Sequence, residues 1–203
     1  MKIKESVKRK EIIFIVSLIV IIFCFLIDGF AIYKSTMYTQ SAKDNRLLQN
    51  KYKDLSNFMG TSVVQTTSNA IYEEQLSIMN YLRWMDTKDM YYFEQSNYEL
   101  NNSIDSLEQS TFLIYKEWDY INETAIYEEL ANENDSKSSK INMGLLLMNM
   151  AIFFLSLSII PLRMGMEETE KKYHIFKHFG LIIFIMGLSM WMLGFIPIFS
   201  LLF

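Results

Sequence analysis

Three long stretches that are almost free of charge constrain this chain more than any other feature of its sequence. They cover residues 12–33, 143–162 and 179–203. An α-helix of about 20 apolar residues crosses the hydrocarbon core of a bilayer, which is ~30 Å thick. The sequence therefore predicts an all-α membrane protein with three transmembrane helices, one in each stretch.

The placement of lysine and arginine predicts the orientation of these helices. Residues 1–11 carry five basic groups, and the short loop at 163–178 carries four. Positively charged flanking segments stay in the cytoplasm. We therefore expect a cytoplasmic N-terminus, a cytoplasmic loop and an extracytoplasmic segment at 34–142. Cleavage of the first apolar stretch as a signal peptide is the alternative, although that stretch is longer than a usual signal-peptide core.

The segment at 34–142 is predicted to be helical because it lacks the residues that sheets use at their turns. It contains no proline and one glycine, Gly60. A reversal within residues 85–89, with Asp86 or Thr87 as the cap of a new helix, predicts a coiled-coil-like hairpin. A compact four-helix bundle, with further turns near Gly60 and residues 110–111, is the alternative.

Two heptad patterns within this segment predict the seam of that hairpin, since apolar residues at alternating steps of three and four mark a coiled-coil contact. In the second half they are Phe93, Asn97, Leu100, Ile104, Leu107, Thr111, Ile114, Trp118, Ile121 and Ala125; in the weaker first half they are Leu48, Tyr52, Leu55, Met59, Ser62, Thr66, Asn69, Glu73 and Leu76. Polar and β-branched residues at 60–70 favour a kink or a local break near Gly60, and the patch at 129–140 favours a loosened helix end or a linker.

Each apolar stretch also carries small residues at intervals of seven. Seven residues return a helix to nearly the same face, and small residues allow helices in lipid to approach closely. These stripes predict left-handed helix packing, within one chain or between chains. The predicted packing residues are Ser17, Cys24, Ala31, Gly144, Ala151, Ser158, Gly180, Gly187 and Gly194.

Two further groups of residues are candidate functional sites. Aromatic residues flank the reversal, and they are suited either to binding a partner or to closing the end of the bundle. They include Trp84, Tyr91, Tyr92 and Phe93. Asp28 is the one acidic residue in an apolar stretch, and Asn149 is polar at a similar expected depth. A hydrogen bond between these two would join the first two transmembrane helices.

The composition of the chain argues against several other functions. Residues 34–142 contain 17 acidic and 10 basic residues, which disfavours binding to nucleic acid. They contain no histidine or cysteine, and catalytic motifs are missing from the sequence. Glu170, His174 and His178 have a spacing that can bind a metal ion, but it is common by chance. We therefore expect no enzymatic activity, no cofactor and no metal site.

These observations lead to three hypotheses about function. The first is a non-enzymatic membrane protein that acts by assembly through its helical ectodomain, either as a homo-oligomer or as an accessory subunit of a membrane complex. Its partners would be the lipid bilayer and either itself or other membrane proteins. The second is an extracytoplasmic sensor, and the third is a channel or ion-coupled protein that uses Asp28 and Asn149.

Overall fold

The computed structural model contains three helices: α1 (Lys2–Thr87), α2 (Met90–Glu167) and α3 (Tyr173–Leu202). It describes residues 2–167 and 173–202, with side chains for residues 12, 15–163, 176 and 178–201. All three helices are long and apolar enough to cross a membrane. The predicted all-α class and the three candidate membrane-spanning helices are therefore confirmed.

The chain divides into two compact units. One combines Met1–Ala42 with Asn132–Phe203, and it contains parts of all three helices. We call it the three-helix unit. The other is Lys43–Ala131, in which α1 and α2 lie against each other. We call it the helix-pair unit.

Both long helices continue through the positions where the sequence predicted breaks. Helix α1 is uninterrupted at Gly60, and α2 is uninterrupted at residues 110–111 and 129–140. The predicted local break near Gly60, the loosened end and the extra turns of a four-helix bundle are therefore wrong, whereas a kink at Gly60 stays a prediction. Side-chain hydroxyls in this part of α1 donate to the carbonyl oxygens four residues earlier, so they fit within the helix. The bonds from Thr61 to Asn57 and from Thr66 to Ser62 measure 3.0 and 2.7 Å.

The reversal lies within the predicted segment, but a different residue caps the second helix. Lys88 has a φ of 58°, and its N–H donates to the Trp84 carbonyl oxygen at 2.7 Å, which closes α1 with a left-handed residue. The side chain of Asp89 then accepts a hydrogen bond of 3.0 Å from the N–H of Tyr91. The predicted caps, Asp86 and Thr87, were wrong because both residues still belong to α1.

Substitutions in the reversal should change stability in opposite directions. Asp89→Ala is expected to lower the free energy of unfolding by about 1 kcal/mol, because it removes the cap. Lys88→Gly is expected to raise it by up to about 1 kcal/mol, since glycine adopts a positive φ without strain. Thermal unfolding of the full-length protein in detergent, followed by circular dichroism, measures both. Equal effects of the two substitutions would contradict this account of the turn.

Small residues form the contact between the two helices of the helix-pair unit. Ser56, Ala70 and Ser77 of α1 are buried at multiples of seven residues, and α2 buries four small residues in the same way. The four are Ser96, Ser103, Ser110 and Ala131. We call these two rows the small-residue seam. The predicted seam was wrong for α2, because large side chains from the α2 heptad remain exposed, including Ile104 and Trp118.

The core of the three-helix unit combines small and aliphatic residues from α1, α2 and α3. Cys24 and Ala31 of α1, Ile141 and Met148 of α2, and Ile198 of α3 are all fully buried. The outward side chains in this unit are mostly apolar, for example Leu26 and Phe153. Apolar side chains on the outside are stable in lipid but not in water, which agrees with a membrane location.

Candidate interaction surfaces

Reciprocal hydrogen bonds join α1 and α2 along the small-residue seam. Ser77 Oγ donates to the Ser96 carbonyl oxygen at 2.8 Å, and Ser96 Oγ donates to the Ser77 carbonyl oxygen at 2.9 Å. Further along, Ser103 Oγ donates to the Ala70 carbonyl oxygen at 3.0 Å. The residue numbers of these contacts increase along α1, from Ala70 to Ser77, as they decrease along α2, from Ser103 to Ser96. The two helices are therefore antiparallel. A serine can reach the backbone of the opposite helix only when the two helices lie very close together.

Contacts beside the seam show which residues of the two helices share a side. Each residue turns an α-helix by about 100°. Measured from a seam residue, the third residue after it therefore lies at about 300° and the fourth at about 40°, on opposite sides of the seam. Tyr52 stacks on Tyr127 at 5.4 Å between ring centroids, and Ser106 Oγ donates to Glu73 Oε2 at 2.9 Å. All four occupy the position three after the seam. Residues three positions after the seam therefore lie on the same side of the pair in both helices. We call this side the tyrosine face.

The opposite side of the helix pair is lined by exposed aliphatic and aromatic residues. We call this side the open face. It contains the residues that stand one and four positions after a seam residue in each helix. Its large exposed apolar side chains are Val64, Ile71, Ile78, Tyr81 and Met85 of α1, with Leu100, Ile104, Leu107, Ile114, Trp118 and Ile121 of α2. Val64 is 66% exposed and Trp118 is 62% exposed. Clustered apolar surface of this kind is typical of interaction sites.

The two heptad stripes found in the sequence lie on different sides of the pair. The α1 stripe, from Leu48 to Leu76, runs beside the seam on the tyrosine face, where most of its residues are half-buried. The α2 stripe, from Phe93 to Ala125, runs along the open face. The two stripes therefore do not pack against each other within one chain. Sequence reasoning missed the serines between them, although their interval of seven is visible in the sequence.

The aromatic residues at the reversal are only partly available for binding. The Trp84 ring contacts Phe93 at 5.0 Å and Tyr81 at 5.3 Å, and these contacts close the end of the helix pair. The guanidinium group of Arg83 lies over the ring of Tyr92 at 5.9 Å. Tyr91 remains 60% exposed. A role for Trp84, Tyr91, Tyr92 and Phe93 in binding a partner stays a prediction.

The structure buries all nine of the small residues in the apolar stripes. The glycines of α3 lie against α2 of the same chain. A methyl group added at Gly194 would stand 2.7 Å from the Gly144 carbonyl oxygen, and one at Gly187 would stand 3.1 Å from the Leu155 backbone nitrogen. Both distances are shorter than ordinary carbon contacts. At Gly194 a methyl group would force the backbone of α2 away, whereas at Gly187 it would require Leu155 to move by a few tenths of an ångström.

A polar network joins α1 and α2 within the three-helix unit. Ser35 Oγ donates to Asn142 Oδ1 at 2.7 Å and lies 3.0 Å from Ser138 Oγ. Lys137 Nζ lies 2.7 Å from Glu133 Oε1 nearby. The hydrogen bond between them lowers the pKa of Glu133 and raises the pKa of Lys137. Hydrogen bonds between helices are the polar contacts expected close to a membrane.

Asp28 is buried among the helices of the three-helix unit, at 7% exposure. Its Oδ1 atom and the Nε1 atom of Trp191 have no hydrogen-bond partner among the described residues. Asn149 is exposed and makes no hydrogen bond to Asp28. It lines an apolar depression of about 650 Å³ on α2, beside Leu145 and Phe153. The proposed hydrogen bond between Asp28 and Asn149 is therefore absent.

Asp28→Asn is expected to increase the stability of the protein. A buried carboxylate with an unpartnered oxygen costs about 1–3 kcal/mol, and an uncharged amide of the same shape reduces that cost. Thermal unfolding of the full-length protein in detergent at neutral pH should show a higher midpoint. Asn149→Ala is the control and should have little effect, since that side chain is exposed. A lower midpoint for Asp28→Asn would mean that the carboxylate has a stabilising partner.

Within the residues that the structure describes, no group of three or more histidine, cysteine or acidic residues is arranged to hold a metal ion. Of the three residues with metal-binding spacing in the sequence, Glu170 and the side chain of His174 lie outside the described part of the chain. No protein-family model, no curated protein and no solved structure matches this chain. Its function is therefore inferred from the surfaces described above.

Proposed function

We propose that this chain is a non-enzymatic membrane protein that acts by assembly, through helices α1 and α2 of the helix-pair unit. The observation that carries this proposal is the open face, where eleven large apolar side chains from both helices are exposed. Exposed apolar surface of this extent is costly in water and is stable when a partner covers it. On the topology that the basic residues predict, the helix pair lies outside the cytoplasm.

Purification in a mild detergent tests this proposal. We expect a particle larger than one chain with its detergent micelle, either a homo-oligomer or a complex with a stoichiometric partner. Native mass spectrometry measures the mass and the subunit composition directly. A strictly monomeric particle with no partner, obtained also from membranes extracted without detergent into polymer nanodiscs, would overturn the proposal.

Asp28 supports a second candidate function, which is coupling to protons or other cations. Intramembrane carboxylates are by default candidates for such a role. The specific observation is that Asp28 Oδ1 is buried without a hydrogen-bond partner in the described structure. Conductance or transport assayed in proteoliposomes would then be lost in Asp28→Asn. Unchanged activity in this variant, or no activity in the native protein, would remove this candidate.

A further inference from the structure

We infer that the open face binds the open face of a second copy of this chain, so that two helix pairs form a four-helix bundle around a two-fold axis. This inference rests on the proposed function, which it makes specific by naming the partner. It is carried by the exposed apolar side chains of the open face and by the small number of charged residues among them.

Both helices contribute large apolar side chains to the open face from Val64 of α1 to the reversal. Between residues 43 and 60, α1 places only polar residues and Gly60 on this face, and α2 alone supplies the apolar side chains there. Ile71 of α1 and Ile104 of α2 directly follow Ala70 and Ser103, which are hydrogen-bonded across the seam. The two isoleucines are therefore level with each other, on the same side of the pair. A flat surface built from two helices matches another two-helix surface, as in four-helix bundles, better than it matches a single helix.

The charges on this face favour a second copy over a basic or an acidic partner. Residues 43–131 contain 15 acidic and 7 basic side chains, and the open-face positions hold only two of the acidic ones, Glu74 and Glu128. They hold three of the basic ones, Lys43, Arg46 and Lys53. The face is therefore close to neutral within an acidic unit. A neutral face offers no electrostatic attraction to a strongly charged partner.

Two of these charges, on Arg46 and Glu128, complement each other in a two-fold dimer. Gly60 lies beside Glu117, since a methyl group on Gly60 would stand 2.8 Å from Glu117 Oε1. Counting along both helices from that contact places Arg46 and Glu128 within about one helical turn of the same level. When the two-fold axis runs along the helices of the pair, it places α1 of each copy opposite α2 of the other. Arg46 of one copy then faces Glu128 of its partner.

Cross-linking between two differently tagged full-length copies tests this arrangement. Both carry Cys24→Ser, one carries Ile71→Cys and the other carries Ile104→Cys. Oxidation in membranes is expected to give a disulfide-linked dimer that contains both tags. The matched control uses the next residue on each helix, Tyr72→Cys with Asp105→Cys. Both control positions are exposed, but they point away from the open face, so we expect little cross-linking.

Charge reversal adds a second measurement on the same cross-link. Glu128→Arg in both copies should reduce the cross-linked fraction by roughly fivefold or more, because it places arginines opposite each other. Adding Arg46→Glu should restore the cross-link.

Absence of the Ile71–Ile104 cross-link, or equal cross-linking of the control pair, would overturn the inference. If native mass spectrometry still showed a complex, assembly would stand and the partner would be another protein or another face. A monomeric particle would remove both proposals.

Discussion

Gly194→Ala is expected to separate α3 from α2 and to lower the free energy of unfolding by about 1–3 kcal/mol. The added methyl group would stand 2.7 Å from the Gly144 carbonyl oxygen and 3.0 Å from the Leu147 Cβ atom. Neither neighbour can rotate away, because one is backbone and the other is attached directly to it. The helices must therefore move apart, and the close contacts that hold them in lipid are lost.

Gly29→Ala is the matched control for this substitution. A methyl group at Gly29 would meet nothing within 4 Å, and Gly29 lies in α1. Alanine there should be neutral or should stabilise the helix by about 0.5–1 kcal/mol. Thermal unfolding of both full-length variants in the same detergent measures the difference. Equal midpoints for the two variants would show that α2 and α3 are not in close contact at Gly194.

Ser77→Leu should be the most damaging substitution in the helix-pair unit, with a loss of about 2–4 kcal/mol in the free energy of unfolding. Ser77 and Ser96 donate hydrogen bonds to each other's carbonyl oxygens at 2.8 and 2.9 Å. A leucine cannot fit between backbones this close, and it also removes the hydroxyl. Ser77→Ala keeps the small size, so it should cost only about 1 kcal/mol.

Ser68→Leu is the control for the leucine substitution. Ser68 is on the same helix, but it is exposed, and its hydroxyl bonds only to the Val64 carbonyl oxygen of its own helix. Denaturant unfolding of the full-length protein, followed by the helical signal in circular dichroism, should therefore show little change for Ser68→Leu. A neutral or stabilising effect of Ser77→Leu would contradict this account, because it would mean that leucines and isoleucines, and not serines, form the contact between the two helices.

An interface between chains on the open face would explain why the α2 heptad is so regular, although Phe93 is its one member with a ring contact to α1 among the described residues. Ile104, Leu107 and Ile114 repeat at coiled-coil spacing, yet they remain exposed in one chain. Such a pattern needs a partner helix to bury it. If that partner is a second copy of this chain, as we propose, the α2 heptad marks an interface between the two chains.

The sequence alone determined the helical class and the three apolar helices, because both depend on properties of short segments. An uncharged run of about 20 residues can bury its backbone polar groups in a bilayer only as a helix, whatever lies beside it. The glycine stripe of α3 was visible for a similar reason, since an interval of seven residues fixes one side of a helix. The segment that holds the reversal was also visible, because it joins two helical patterns.

The tertiary structure decided which of several stripes forms each contact. In α2, Ser103 and Ile104 are adjacent, and both belong to rows with an interval of seven. Periodicity cannot choose between two such rows. The choice depends on the distance between the helices, because serine hydroxyls bond to the opposite backbone only at close approach. The exposure of Trp118 and the unpartnered oxygen of Asp28 also depend on what the neighbouring helices contribute. Only the folded chain therefore shows them.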